Sequence, residues 1–407
     1  MSLQLTMLAA GEGDALHLQW GPASDRRQLI VDMGVHATGR AWRDRLVRLP
    51  VAQRRFELLV ITHVDTDHIY GVLSALVDAE PIEGFEFADI WFNGWTHLLG
   101  GRIEPFQPPP TDAEAALVAD ARTHMFGSDL EAYGGGQGEQ FSIWLRRQPW
   151  NLAFGGQAVV RPNNGVGPRI QLDHGLEITV LGPTSTQLEA LQGDWRTAVA
   201  EALRKGALAR DEVHEDLVPT DLEPMGRRKP RKPRLSSRSD LKRLANRTFR
   251  SDDRAANGSS IALLVDYAGE SLLLTGDAHP EGLVDALGFL FADEPPNITA
   301  CKLPHHGSQK NVSRALVEAI RCNHWLISTN GIKHYHPDAA AIARVLRYAR
   351  PPTGSERSPV LLFNEPSVYN RWWSDEQWIE RFGYRAFYGE KGVGLSLEVS
   401  AGEVRMV

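Results

Sequence analysis

One stretch of this sequence restricts the possible folds more than any other. Thr62-His63-Val64-Asp65-Thr66-Asp67-His68 places four metal-ligating side chains within six residues, directly after the apolar run 58–61. A short uninterrupted apolar run reads as a strand buried on both faces, which calls for packed layers on either side. Neither a strand nor a helix can aim four such closely spaced donors at one point, but the loop between them can. A strand that ends in polar residues and feeds a helix is where α/β proteins keep their chemistry. Two adjacent ions, taking two of these ligands each and sharing a hydroxide, would suit the spacing. The competing reading of this segment alone is a solvated turn with a capping Asp and incidental histidines.

Three further segments reduce the weight of that alternative. Leu272-Leu273-Leu274-Thr275-Gly276-Asp277 is an apolar strand ending in a carboxylate placed to bridge two cations. Leu303-Pro304-His305-His306-Gly307-Ser308 puts paired imidazoles at the end of another expected strand, 302–307. Asn330-Gly331-Ile332-Lys333-His334-Tyr335-His336-Pro337 closes a third, 324–330, with two more histidines. Each could be an ordinary turn. Donor residues recurring at four strand ends are harder to assign to chance.

Elsewhere the chain alternates strands and helices. Strands are expected at 3–8, 14–20, 27–34, 176–183, 259–268 and 393–399, with a hairpin turn at Ala268-Gly269-Glu270. Helices are expected at 40–48, from Ile69 onward, and over about 185–207. Region 94–170 contains Pro108-Pro109-Pro110 and Gly134-Gly135-Gly136, and reads as an insertion or cap with a helix at 111–126. The order of elements points to two similar α/β halves, with sheets in the middle and helices outside.

These segments, together with the opening Gly11-Glu12-Gly13-Asp14-Ala15 and the strand ending in Asp32 and Gly34, resemble the metallo-β-lactamase superfamily. The likeness is to its competence-type (ComEC-like) branch, the nuclease-like domain of bacterial DNA-uptake proteins, and spans about 3–90 and 175–340. It implies an α/β fold, the metallo-β-lactamase αββα sandwich with insertions and a C-terminal extension. The catalytic domain would occupy 1–345, with a cap at about 94–170 and a basic insertion at about 208–256. An α/β extension at 346–407 would pack on the same domain. The resemblance implies two divalent ions, Zn²⁺ or Mn²⁺. His63 and Asp65 would hold one, and Asp67 and His68 would hold or activate at the other. Asp277 would bridge, and His305 or His306 would complete the second ion's shell. Asp32 would lie beneath the loop as an orienting carboxylate. The common superfamily pattern has His where this chain has Asp65, which makes the site harder and favours Mn²⁺ as a competitor to Zn²⁺. Where many members carry a further His, this chain has Asn257-Gly258-Ser259-Ser260, which implies either an open position on the first ion or a His from elsewhere, with one or two ions held, and Asn257 would stand behind the ligands.

The expected activity is metal-dependent hydrolysis, foremost of phosphodiesters as in a nuclease. Asp67, His336 and Lys310 are the catalytic candidates. A small ester, lactone or phosphorylcholine-type diester is the alternative substrate class. A non-enzymatic nucleic-acid-binding component with structural metals is a third reading. The net charge of −7 conceals an asymmetry: residues 227–254 carry +9 and the remainder −16. Arg227, Arg228, Lys229, Arg231, Lys232 and Arg234 could follow a nucleic-acid backbone, or belong to a solvated loop. Trp91, Trp95, Trp144 and Trp150 are read as core residues before substrate contacts. With 42% apolar and 23% charged residues, the composition is that of an ordinary globular protein and disorder throughout is not expected. No run of about 18 apolar residues occurs, so no membrane span is expected. The opening strand pattern argues against a signal peptide, and two cysteines, Cys301 and Cys322, suit a reducing, cytoplasmic setting.

Overall fold

The computed structural model describes residues 2–103, 135–194, 232–292, 294–355 and 358–407. The helix expected at 111–126, and Arg227, Arg228, Lys229 and Arg231, lie outside the described residues. Among the described residues the first sheet-forming strands are β1 (Leu3–Leu8), β2 (Ala15–Trp20), β3 (Arg27–Met33), β4 (Arg55–Val60) and β5 (Glu86–Trp91). They are followed by β6 (Arg169–Leu172), β7 (Leu176–Gly182), β8 (Ala262–Tyr267), β9 (Glu270–Leu274), β10 (Asn297–Lys302) and β11 (Arg321–Ile327). The last are β12 (Val360–Phe363), β13 (Arg385–Tyr388), β14 (Gly394–Ser400) and β15 (Glu403–Met406). They build two mixed sheets, ordered β15-β14-β1-β2-β3-β4-β5 and β13-β12-β11-β10-β9-β8-β7-β6.

The two halves share a plan. β1, β2 and β3 are antiparallel neighbours, and β3, β4 and β5 run parallel. β7, β8 and β9 are likewise antiparallel, and β9, β10 and β11 parallel. Parallel neighbours need a crossover, and helices supply it. His36–Arg48 links β3 to β4, Thr66–Val72 leads from β4 towards β5, and Pro280–Phe291 links β9 to β10. Residues 346–407 contribute to both sheets: β12 and β13 lengthen one, while β14 pairs with β1 in the other, Leu3 opposite Val399.

Alternation explains the layering. Along β14 only Leu395, Leu397 and Val399 turn inward, as a strand with one dry face requires. They join Leu3, Leu5, Leu18, Leu29 and Val60 of their own sheet and Ile178, Val180, Leu263, Leu272 and Leu326 of the other in one shared apolar layer. Outside it, Trp42, Phe56, Ile69 and Val72 form a core between the first sheet and its helices. Leu273, Cys301, Leu316, Trp325 and Ile342 do the same for the second. The chain is therefore an α/β molecule with two sheets packed face to face and helices on the outer faces. Trp91 and Trp150 are buried in these cores, and Trp95 and Trp144 pack against the first outer core.

Two expected strands end earlier than their sequence suggests. β10 stops at Lys302, and Pro304–Gly307 forms a tight 3-10 turn with His305 and His306 at φ of 47° and 54°. Pro304 provides no N–H to continue the ladder, and the positive φ values turn both imidazoles off the sheet line. β11 stops at Ile327, which frees 328–336 to fold over the same end of the sheets.

Candidate metal centre

The parallel strands bring their C-terminal ends to one place. Asp32 closes β3, Thr62–His68 follows β4, Asp277 follows β9, His305 and His306 follow β10, and His336 lies beyond β11. Asp32 is buried with φ of 57°, a conformation that aims its carboxylate under the next loop. Its Oδ1 accepts from the Thr62 N–H at 2.8 Å and its Oδ2 from the Thr62 hydroxyl at 2.8 Å. His68 Nδ1–H donates to the same Oδ2 at 2.7 Å. That bond fixes the tautomer of His68 and leaves Nε2 as the free donor.

Asp277 is the centre of the cluster. His68 Nε2 lies 3.4 Å from its Oδ1. His306, His305 and His63 present Nε2 at 3.6, 3.7 and 3.9 Å from its Oδ2. These separations exceed hydrogen-bond length. Donors about 2.0–2.2 Å from one ion stand roughly 3.3–3.6 Å apart, close to what is seen here. Asp67 Oδ2 lies 3.1 Å from His306 Nε2 and 3.8 Å from His68 Nε2. Asp65 Oδ2 lies 3.8 Å from His63 Nε2. His63 Nε2, His68 Nε2, His306 Nε2 and Asp277 Oδ1 are buried and have no hydrogen-bond partner. Buried polar atoms without partners are rare, and here they converge.

Sequence reasoning missed Asp14, Asp252 and Arg254. Asp14, His68, Asp277 and His306 form a buried group able to hold a metal ion. Asp14 Oδ1 is 3.3 Å from His306 Nδ1, and its Oδ2 pairs with the buried Lys302 ammonium. Gly13 lets this turn approach: a Cβ there would stand 1.7 Å from the Asp67 carbonyl oxygen. Asp252 Oδ2 accepts from Asn257 Nδ2 at 2.5 Å and Asn311 Nδ2 at 3.1 Å, and lies 3.3 Å from His305 Nδ1. Asn257 therefore stands behind His305. Arg254 Nη2 lies 2.9 Å from Asp65 Oδ2. A carboxylate beside the Gly-rich turn was the one visible sign of Asp14, Arg254 showed only as the last residue of the basic stretch, and nothing local marks Asp252.

The charges reinforce one another. Burial opposes ionisation of Asp277, yet His306, His68 and His305 hold it well below the usual carboxylate range. Asp67 is held well down in the same way, against burial, by His68 and His306. Burial disfavours the His68 imidazolium, but Asp277, Asp32 and Asp67 raise it well above the ordinary value. His306 is likewise pushed up to about 9, against burial, by Asp277 and Asp14. Asp14 is lowered to about 2, where Lys302 and His306 outweigh burial.

The other expected residues divide. His336 lies beside the cluster, its ring 5.3 Å from that of His305 and its Nδ1 3.5 Å from Asp338 Oδ2. Burial lowers its pKa. Lys310 is exposed and, among the described residues, no contact draws its ammonium to the cluster. Lys232 pairs with Asp375 and stands 4.6 Å over the Trp378 ring, while Arg234 is exposed. Arg238 donates to the Arg381 carbonyl and Arg243 to Asp240. The described part of the basic stretch is thus folded onto the body of the protein.

No family model and no curated protein matches this sequence. Geometry therefore carries the reading of the site. Among the described residues no helix is long and apolar enough to cross a membrane.

Proposed function

We propose that this chain is a metal-dependent hydrolase of phosphodiester bonds, built on a metallo-β-lactamase-type sandwich. The observation that carries the proposal is the buried Asp277 carboxylate ringed by four imidazole Nε2 atoms at 3.4–3.9 Å, three of them without hydrogen-bond partners. Such donors suit a cation better than each other. Asp67, His68, Asp277 and His306 would hold one divalent ion, with Asp14 close behind. His63 and Asp65 share Asp277 on the other flank. The oxygen-rich donor set suits Mn²⁺ as well as Zn²⁺.

A bound divalent ion supplies a Lewis acid that makes water acidic near neutral pH and offsets charge on the attacked group. The chain's own residues do the rest. Asp32 locks His68 in the tautomer that faces the centre. Asp252 and Asn311 orient His305. His336, backed by Asp338, is a proton carrier beside the cluster. Arg254 puts a fixed positive charge at the rim, which favours a phosphodiester over a neutral ester.

Purified protein supplied with Mn²⁺ or Zn²⁺ tests this on bis(p-nitrophenyl) phosphate, single- and double-stranded DNA, and RNA. Turnover of at least one diester, abolished in Asp277→Asn and His68→Ala, is expected. Cleavage of carboxylic esters or lactones with every diester untouched would transfer the chain to that substrate class. No turnover with either metal would overturn the proposal.

A further inference from the structure

We propose that His334 and Ile332 form a shelf beside the metal centre that receives a flat ring carried by one ester group of the substrate. The inference rests on the hydrolase reading above and adds a specificity residue to it. A line of rings leads outward from the cluster. The His336 ring stands 5.3 Å from that of His305, and the His334 ring 6.0 Å from that of His336. The last two planes differ by only 29°. His305 and His336 each have a carboxylate beside them, Asp252 and Asp338. His334 is exposed, and among the described residues no ion pair or hydrogen bond engages its ring. Desolvation by the surrounding protein lowers its pKa to about 4, against the pull of Asp67, so near neutral pH the ring is uncharged. An uncharged ring open to solvent offers a face to stack on rather than a charge to pair with.

The loop is built to hold that face in place. Tyr335 adopts φ of 63°, which is rare for a bulky residue and persists only where the surroundings impose it. Its ring packs on Tyr369 at 5.4 Å, and its N–H donates to the Gly331 carbonyl at 2.9 Å. Gly331 is pressed so close that a Cβ there would stand 2.7 Å from the Tyr369 Cβ. The Asn330 N–H donates to the Gly11 carbonyl at 2.7 Å, and Asn330 Oδ1 accepts from the Ile332 N–H at 2.9 Å. Ile332 nevertheless leaves 68% of its surface exposed. Lys333, between the two, is drawn to Glu12 at 3.7 Å. The braced loop therefore offers the solvent an imidazole face and an aliphatic side chain, one ring beyond His336. A flat π-face packs on such a surface, whereas a sugar hydroxyl gains nothing from it.

Protein loaded with Mn²⁺ or Zn²⁺ is to be titrated calorimetrically with adenosine 5′-monophosphate, phenyl phosphate and ribose 5-phosphate. At least one of the two ring-bearing phosphates is expected to bind about 5–100-fold more tightly than ribose 5-phosphate. A gain confined to the adenosine compound assigns the shelf to nucleosides, and a gain for phenyl phosphate assigns it to aryl groups; both support the shelf. His334→Ala is expected to erase the gain while metal content and the affinity for ribose 5-phosphate stay as they were. His334→Phe, which restores a flat face, is expected to keep it. Equal affinities in the unaltered chain, a gain that survives in His334→Ala, or its loss in His334→Phe would each overturn this inference and leave the hydrolase reading intact. Binding of none of the three would do the same while a diester is still turned over. With turnover absent as well, the hydrolase reading itself falls.

Discussion

His306 shows how much chemistry one side chain can carry here. Its Nδ1 lies 3.0 Å from the Ser328 carbonyl and 3.3 Å from Asp14, and its Nε2 faces Asp67 and Asp277. In metal-free protein these carboxylates, opposing burial, raise its pKa from 6.5 to about 9. A raised pKa contributes stability that is whole below about pH 6.5 and is lost as the pH climbs through about 9. Binding a cation must expel the same proton, so affinity should climb over that interval. With chelator present, the melting temperature is expected to fall between pH 6.5 and 9, while Zn²⁺ or Mn²⁺ binding tightens. A flat profile for both would contradict this account of His306. Asp32→Asn, which removes the charge behind His68, should weaken metal binding by about 10–100-fold, measured by calorimetry. Asp14 and Lys302 are both buried, and breaking such a pair typically costs about 3–5 kcal/mol. Lys302→Met should show a loss of that order in urea unfolding. The Thr62–His68 donors were legible because they are contiguous and follow an apolar strand. Asp14, Asp252 and Arg254 were not, because each is a single residue in a distant loop and acquires its role only when strand ends converge.

Strand ends and turns set the accuracy of that convergence. The turn between β8 and β9 was legible from Ala268-Gly269, and the structure gives these residues φ of 52° and 86°. Alanine is strained there, whereas Asn-Gly is the favoured pair for such a hairpin. Ala268→Asn should stabilise by about 0.5–1 kcal/mol, detectable as a higher melting temperature. The turn before β2 is less forgiving. A methyl group at Gly13 would collide with the Asp67 backbone, which also accepts a hydrogen bond from the Asp14 N–H at 3.3 Å. Gly13→Ala is expected to part Asp14 from the metal loop and abolish tight metal uptake while the far sheet stays folded, as hydrogen exchange would show. The ends of β10 and β11 were placed too late from sequence. Apolar character persists into Leu303, and only the backbone geometry of His305 and His306 reveals where the ladder stops.

Across the whole molecule the alternation of strands and helices made two α/β halves legible, and the repeated antiparallel-then-parallel order is their structural expression. The partition of strands between sheets was not legible. Pairing of β1 with β14 joins residues almost four hundred positions apart, and no local pattern announces such a partner. Removing residues 394–407 would strip the inner layer of Leu395, Leu397 and Val399 and leave β1 as an open edge. Such a truncation is expected to be insoluble or to lose cooperative unfolding. The same pairing governs how the protein comes into being. β1 leaves the ribosome almost four hundred residues before its neighbour β14. While the intervening residues are made that strand waits with one row of amides unanswered, so the nascent chain is the form most exposed to misassembly and most in need of a chaperone.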